Sequence, residues 1–256
     1  MLRLALFILT SALSVSLLAA PTERECHLKV GWEEWFPLFY KQDGRLQGPE
    51  YELLRELAQK AECQLTFLEM PWKRQLKDVE KADLDLLYAV SRTPEREVFA
   101  RFSHSYRTEK MFMVARTSAV HSPAVSVSLR RWLVTPNDAG REKILGLIQG
   151  YYYGDALSSI IADPAIKSHL LDVRVNQQLQ ELLLNNRIDG YMVEASVAHA
   201  QLQAHGPQLQ LLAIEEHQPE PMFLMFSKRV PASIVQRFNT AIDQHLAVPI
   251  RPALKS

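Results

Sequence analysis

DLLYAVSRTPEREVFARFSHSYRTEKMFMVAR, residues 85–116, is the stretch from which the rest of the chain can be read. An apolar run ending at Val90 releases Ser91, Thr93 and Arg96. A Phe102-Ser103-x-x-Tyr106 step follows, then a second apolar run over residues 112–115. A strand whose carboxyl end delivers a hydroxyl and a guanidinium into a crevice makes an anion site, because the planar fork of Arg donors matches a carboxylate. The competing reading is an arginine in a surface turn, paired with Glu95, Glu97 or Glu109, an arrangement that contributes little.

Outward from this stretch, strands and helices alternate. Residues 27–32 read as a strand, 48–61 as an amphipathic helix opened by Gly-Pro-Glu, 65–70 as a strand, 73–81 as a helix and 84–90 as a strand. This order predicts an α/β sheet that binds its ligand at the carboxyl ends of the strands. Residues 112–115 begin a second unit, with strands at 144–149 and 190–193 and helices at 155–161 and 176–185. The chain returns through HQPEP, residues 217–221, into an apolar strand over 222–226, and ends in a helix over 231–246. Two lobes follow, 21–109 with 220–256 and 110–219, joined by crossings near 106–109 and 215–221. A double crossing lets lobes close on a ligand.

Residues 1–20 carry Arg3, an interrupted apolar run and then Ala19 and Ala20, the pattern of a secretory signal rather than a membrane span. No cysteine follows those alanines, so a lipid anchor is not expected. Without that segment, whose only charge is Arg3, 28 basic residues face 29 acidic ones, which gives no support to nucleic-acid or anionic-membrane binding. Of 256 residues 47% are hydrophobic, enough for a large core or two lobes. The cysteines, Cys26 and Cys63, stand before the first and second strands, and a right-handed strand–helix–strand unit brings both to one sheet edge. In an oxidising compartment they are candidates for a disulfide; the other reading is two buried thiols. Two thiols without paired histidines nearby make no metal site, and no cofactor is expected.

Ser91-x-Thr93-x-x-Arg96 followed by Phe102-Ser103-x-x-Tyr106 resembles the signature of the periplasmic solute-binding proteins of polar amino acid transporters. The resemblance implies the two-lobed type II periplasmic binding-protein fold, an α/β fold with a βαβ-based sheet in each lobe. It also implies that Arg96 clamps a ligand carboxylate and Ser91 adds a hydrogen bond. Phe36 takes the place of the family's aromatic wall, while Trp35 and Phe39 read as core. Glu194 takes the place of the acid that accepts the ligand's amine, or serves as the cap of the following helix. Residues 149–154, QGYYYG, occupy the place of a Gly-Thr-Thr turn at a helix start, so Tyr151 and Tyr152 become ligand candidates and the ligand's identity stays open. Trp72, at the exit of the second strand, is a further wall candidate, whereas Arg74 reads as a solvated helix residue. The strand ending at Val90 is one residue shorter than usual for the family, and no role carries over to Ala89.

The resulting expectation is a periplasmic, monomeric binder of an amino acid or other small carboxylate, read by a membrane permease or a sensor, and not an enzyme. Two alternatives stand beside it. One is a dehydratase-like enzyme on the same fold with Glu194 as general acid; the other is a sensor without a transport role. No Ser-His-Asp triad is recognisable, and the histidines, among them His104, His121, His199 and His205, are scattered.

Overall fold

Residues 25–117 and 126–247 are described by the computed structural model; residues 1–20, the cleavage point, His121 and the chain after residue 247 lie outside them. Strand β1 (Cys26–Trp32) buries Cys26, Leu28 and Val30 and exposes His27 and Lys29, the two-residue period of a pleated strand. A hairpin of β2 (Tyr40–Gln42) and β3 (Arg45–Gln47) leads to α1 (Pro49–Lys60), whose first residue is the Pro of Gly-Pro-Glu. Then come β4 (Cys63–Glu69), α2 (Trp72–Glu80), β5 (Leu86–Val90), the short α3 (Pro94–Glu97) and β6 (Ala100–Glu109). Helix α2 begins at Trp72 because Pro71 closes the strand and leaves no N–H to pair.

The second half holds β7 (Met111–Arg116), β8 (Ser126–Val127), α4 (Leu129–Val134), β9 (Leu145–Ile148), α5 (Asp155–Ile161), β10 (Leu170–Val173) and α6 (Asn176–Leu184). Strand β11 (Gly190–Glu194), α7 (Ala195–His205) and β12 (Leu209–Ile214) follow. Strand β13 (Glu220–Ser227) and α8 (Ala232–Leu246) complete the described chain. The first sheet has the order β4-β1-β5-β13-β6 and the second β10-β9-β11-β7-β12-β8. β13 therefore returns from the second sheet and inserts between β5 and β6, antiparallel to both.

Only Lys110 separates β6 from β7, and β13 starts six residues after β12 ends. The two segments that pass between the sheets lie side by side, with Glu109 opposite Glu220 and Thr108 opposite Pro221. Strand β11 is buried on both faces: Tyr191 and Val193 join the cluster that continues into the first sheet, and Met192 joins the cluster behind the second. At the far edge, Cys26 is opposite Cys63 in the β1–β4 ladder and the two form a disulfide. Each cysteine is the first residue of its strand rather than the residue before it. Helix α8 packs on the first sheet through Phe238 against Phe226, and Arg237 donates to the carbonyls of Ala61 and Glu62 at the end of α1. Among the described residues, no helix is long and apolar enough to cross a membrane.

Candidate ligand-binding cleft

Between the two sheets lies a cavity lined by Ser91 and Arg96 at one end and by Glu33 and Glu109 among the rest. Its walls are aromatic: Trp35, Trp72, Tyr88, Tyr151 and Tyr152. The space open to the centre of a water molecule is about 50 Å³, room for a few waters at roughly 10–15 Å³ each.

The arginine end is built locally. Thr93 caps α3 by accepting from the Arg96 N–H, and Pro94 presets the first turn, so four residues suffice to turn the Arg96 side chain inward. One terminal nitrogen of the guanidinium donates to the Ser91 carbonyl at 2.8 Å and the other to the Gly150 carbonyl at 3.1 Å. It also lies 5.8 Å from the Trp72 ring centre. Arg96 is buried, and among the described residues it forms no ion pair with a carboxylate. Of the competing partners, Glu97 pairs with Arg92, Glu109 pairs with Arg107, and Glu95 is exposed and acts on Arg96 without forming an ion pair. Burial lowers its pKa to about 10, which still leaves it charged at neutral pH. Two of its five N–H donors go to carbonyls.

Gly150 is the hinge of this end. Its φ of +84° is a conformation side chains avoid, and it aims the carbonyl at Arg96 and at the Trp72 indole N–H, 3.0 Å away. The tyrosine turn thus touches the first sheet directly. Tyr151 donates to Glu33 at 3.1 Å and receives a hydrogen bond from Asn176 at 3.2 Å. Tyr152 lines the cavity and bonds to Asp155, whereas Tyr153 turns into the second core and accepts from the Ile148 N–H.

The acid end is assembled from distant parts. Glu33, just past β1, accepts from Tyr151 with one oxygen and from the Trp72 N–H, at 3.2 Å, with the other. Burial pushes its carboxyl up to about 7 against the pull of those two donors. Glu109, the last residue of β6, also stands at about 7, raised by burial although Arg107 donates to it at 3.0 Å. Arg107 is shared with the buried Glu50, and Tyr106 of the Phe-Ser-x-x-Tyr step bonds to that same carboxylate. The Tyr106 hydroxyl also accepts from the Ala89 N–H at 2.9 Å. That bond holds a bulge in β5 where Ala89, at φ +51°, faces the cavity and the ladder to β13 shifts register. The short strand at this point is a bulge that supplies cavity wall.

Five of the seven residues read from sequence, Trp72, Ser91, Arg96, Tyr151 and Tyr152, line this one cavity. Two do not. Phe36 is 54% exposed and packs edge-on against Tyr40, and the wall position falls to the buried Trp35, over which Arg107 lies at 5.6 Å. Trp35 is therefore cavity wall as well as core. Glu194 is the cap of α7: one oxygen accepts from the Ser196 and Val197 N–H groups at 2.6 and 3.2 Å, and the other from the Ser196 hydroxyl at 3.4 Å. Sequence reading missed Glu33, Gln75, Tyr88, Glu109, Met111 and Met222 as lining residues. Glu33 carried a usable signal, an acid beside aromatics at a strand's carboxyl end; Glu109 carried none outside its tertiary setting.

Residues 28–247 match the family model described as bacterial extracellular solute-binding proteins, family 3. A probable histidine-binding protein from Campylobacter jejuni is 25% identical over 222 residues, 85% of this chain and 78% of that protein. Two solved structures share the fold. An amino acid ABC transporter substrate-binding protein from Streptococcus pneumoniae, bound to L-arginine, has a TM-score of 0.70 at 22% identity, over 85% of this chain and 88% of that one. An ancestral arginine-binding protein bound to arginine has a TM-score of 0.71 at 17% identity, over 86% and 92%. The family model spans nearly all of the described residues, and the chain belongs to the bacterial extracellular solute-binding proteins, family 3.

Proposed function

We propose that this chain captures an amino acid, or a closely related small carboxylate, by closing two lobes around it. The observation that carries this reading is Arg96, a buried cation beside Ser91 in the cavity between the sheets, without an ion-paired carboxylate among the described residues. A buried charge of that kind is costly, and a ligand carboxylate offsets the cost where no side chain does. Trp72, Ser91, Arg96, Tyr151 and Tyr152 form the contact set; Phe36 and Glu194 fall outside it. The histidine-binding relative and the arginine-bound neighbours support the same ligand class.

Residues 21–109 with 220–256 act as one jaw and 110–219 as the other. The signal at residues 1–20 sends the protein to the periplasm, where it works as a monomer, without catalysis, and hands its ligand to a permease or sensor. The family's extracellular character supports that placement.

A thermal-shift screen of the purified protein against amino acids and small carboxylates tests the reading. A ligand at a hundred times its dissociation constant adds about 2.7 kcal/mol of stability. Arg96→Ala is expected to abolish the response. A wild type that responds to no amino acid or carboxylate sinks the reading, and equal stabilisation of Arg96→Ala sinks the clamp. Ligand recovered unchanged after long incubation separates capture from turnover.

A further inference from the structure

We propose that Glu109 is the carboxylate that receives the ligand's ammonium group, in place of Glu194; this deepens the amino acid reading and rests on it. Glu194 is engaged with the first turn of α7 through both oxygens and does not line the cavity. Glu109 lines it, with 13% of its side chain accessible, and stands one residue before the chain crosses to β7.

Its bonding is incomplete in the way a ligand site requires. Among the described residues, the one hydrogen bond to its carboxylate comes from Arg107, and it reaches a single oxygen. Arg107 gives its Nε–H to Glu50, so one guanidinium serves two buried acids. The charged groups around Glu109 include Arg107 from its own strand, Glu50 from α1, Glu194 from the end of β11, Glu220 opposite it in β13 and the neighbouring Lys110. Burial, Glu194 and Glu50 hold the carboxyl up to about 7 despite Arg107. An ammonium group delivered from the cavity side supplies the missing cation and restores the ionised form. Arg96, the lining residue that carries positive charge, then takes the carboxylate. The site so formed distinguishes an amino acid from the same acid without its amine.

Calorimetric titration tests this with L-arginine, L-histidine and L-glutamine, each beside its deamino counterpart, on wild type, Glu109→Gln and Glu194→Gln. Wild type is expected to prefer the amino compound by about a hundredfold, and Glu109→Gln to compress that preference about tenfold or more, the scale of one lost charge-assisted bond. Glu194→Gln is expected to leave the ratio within about threefold while lowering the melting temperature, as loss of a helix cap does. An unchanged ratio in Glu109→Gln, or a ratio that collapses in Glu194→Gln, overturns the assignment and leaves the amino acid reading standing. A wild type that binds the deamino acids as well as the amino acids also overturns it. If wild type binds no member of the panel, amine or deamino, the amino acid reading fails with it. Should Glu109→Gln not fold, wild type and Glu33→Gln titrated near pH 7 in buffers of different ionisation enthalpy are expected to release a fraction of a proton per amino acid bound; no release in either overturns the proposal.

Discussion

At one end of the cavity, Ser91 and Arg96 lie five residues apart, and the Arg96 guanidinium donates to the Ser91 carbonyl. At the other end, Glu33 follows β1 and Glu109 ends β6, and they are held by Tyr151, Asn176 and Arg107, from both halves of the chain. The arginine end is specified by a short motif, and Gly150 adds one carbonyl to it from the other half of the chain. The acid end exists only once both sheets have met. Their electrostatics differ accordingly: Arg96 loses little charge to burial, whereas both acids stand near the pH at which they ionise.

That contrast is broken most directly by pH. The folded-state value of Glu33, about 7, lies above its ordinary 4.5, so the folded protein binds the proton more tightly than the unfolded chain does. The stabilisation is complete below about 4.5, declines as pH rises toward 7 and is gone above it. A shift of this size corresponds to about 3 kcal/mol. Urea denaturation of the ligand-free protein is expected to give lower stability at pH 8 than at pH 5, and Glu33→Gln to remove about that much of the decline. Arg96→Ala should leave the slope untouched. A decline of full size in Glu33→Gln would mean the acid end is not the buried structure described.

A smaller change reaches the arginine end through the backbone. Gly150 holds φ at +84°, and a Cβ there would come within 3.3 Å of Leu76 and 3.5 Å of Trp72. Gly150→Ala is expected to cost about 1–2 kcal/mol, mostly from the left-handed backbone. It should also weaken ligand binding, because the carbonyl that orients both Arg96 and Trp72 turns away. Glu33 does not bond to Gly150, so the pH slope is expected to persist. Loss of the slope in Gly150→Ala would show that the two ends are one cooperative unit.

The same contrast explains what was legible in the sequence. Strands β5, β9 and β11 declare themselves by apolar runs and β1 by its alternation, and Arg96 by its distance from Ser91 on a loop that caps itself. β6, ARFSHSYRTE, does not: its alternation is blurred by half-buried polar residues that become intelligible only beside β13 and α8, where His104 donates its N–H to Asn239. Glu194 shows how a single role can mislead. An acid at the end of β11 is equally well placed to cap α7 or to meet an amine, and only the positions of the Ser196 and Val197 N–H groups decide between them. Phe36 and Trp35 are neighbours in sequence, and the turn after β1, not composition, determines which one faces the cavity.

Trp72 offers the finest test, since it touches both ends. Its backbone N–H goes to Glu33 and its indole N–H to Gly150, while its ring lies beneath Arg96 and edge-on to Tyr151. Trp72→Phe keeps the backbone bond to Glu33 and most of the apolar wall, and removes the indole bond. The expected loss of stability is about 1 kcal/mol, the net worth of one such bond. Affinity should fall with it if the bond between sheets contributes to the closed form, because a ligand shifts that equilibrium only through contacts that favour closure. Denaturation and calorimetry on the same variant separate the cases: stability lost with affinity intact would make Trp72 part of the scaffold, and both lost together would make it part of the closure.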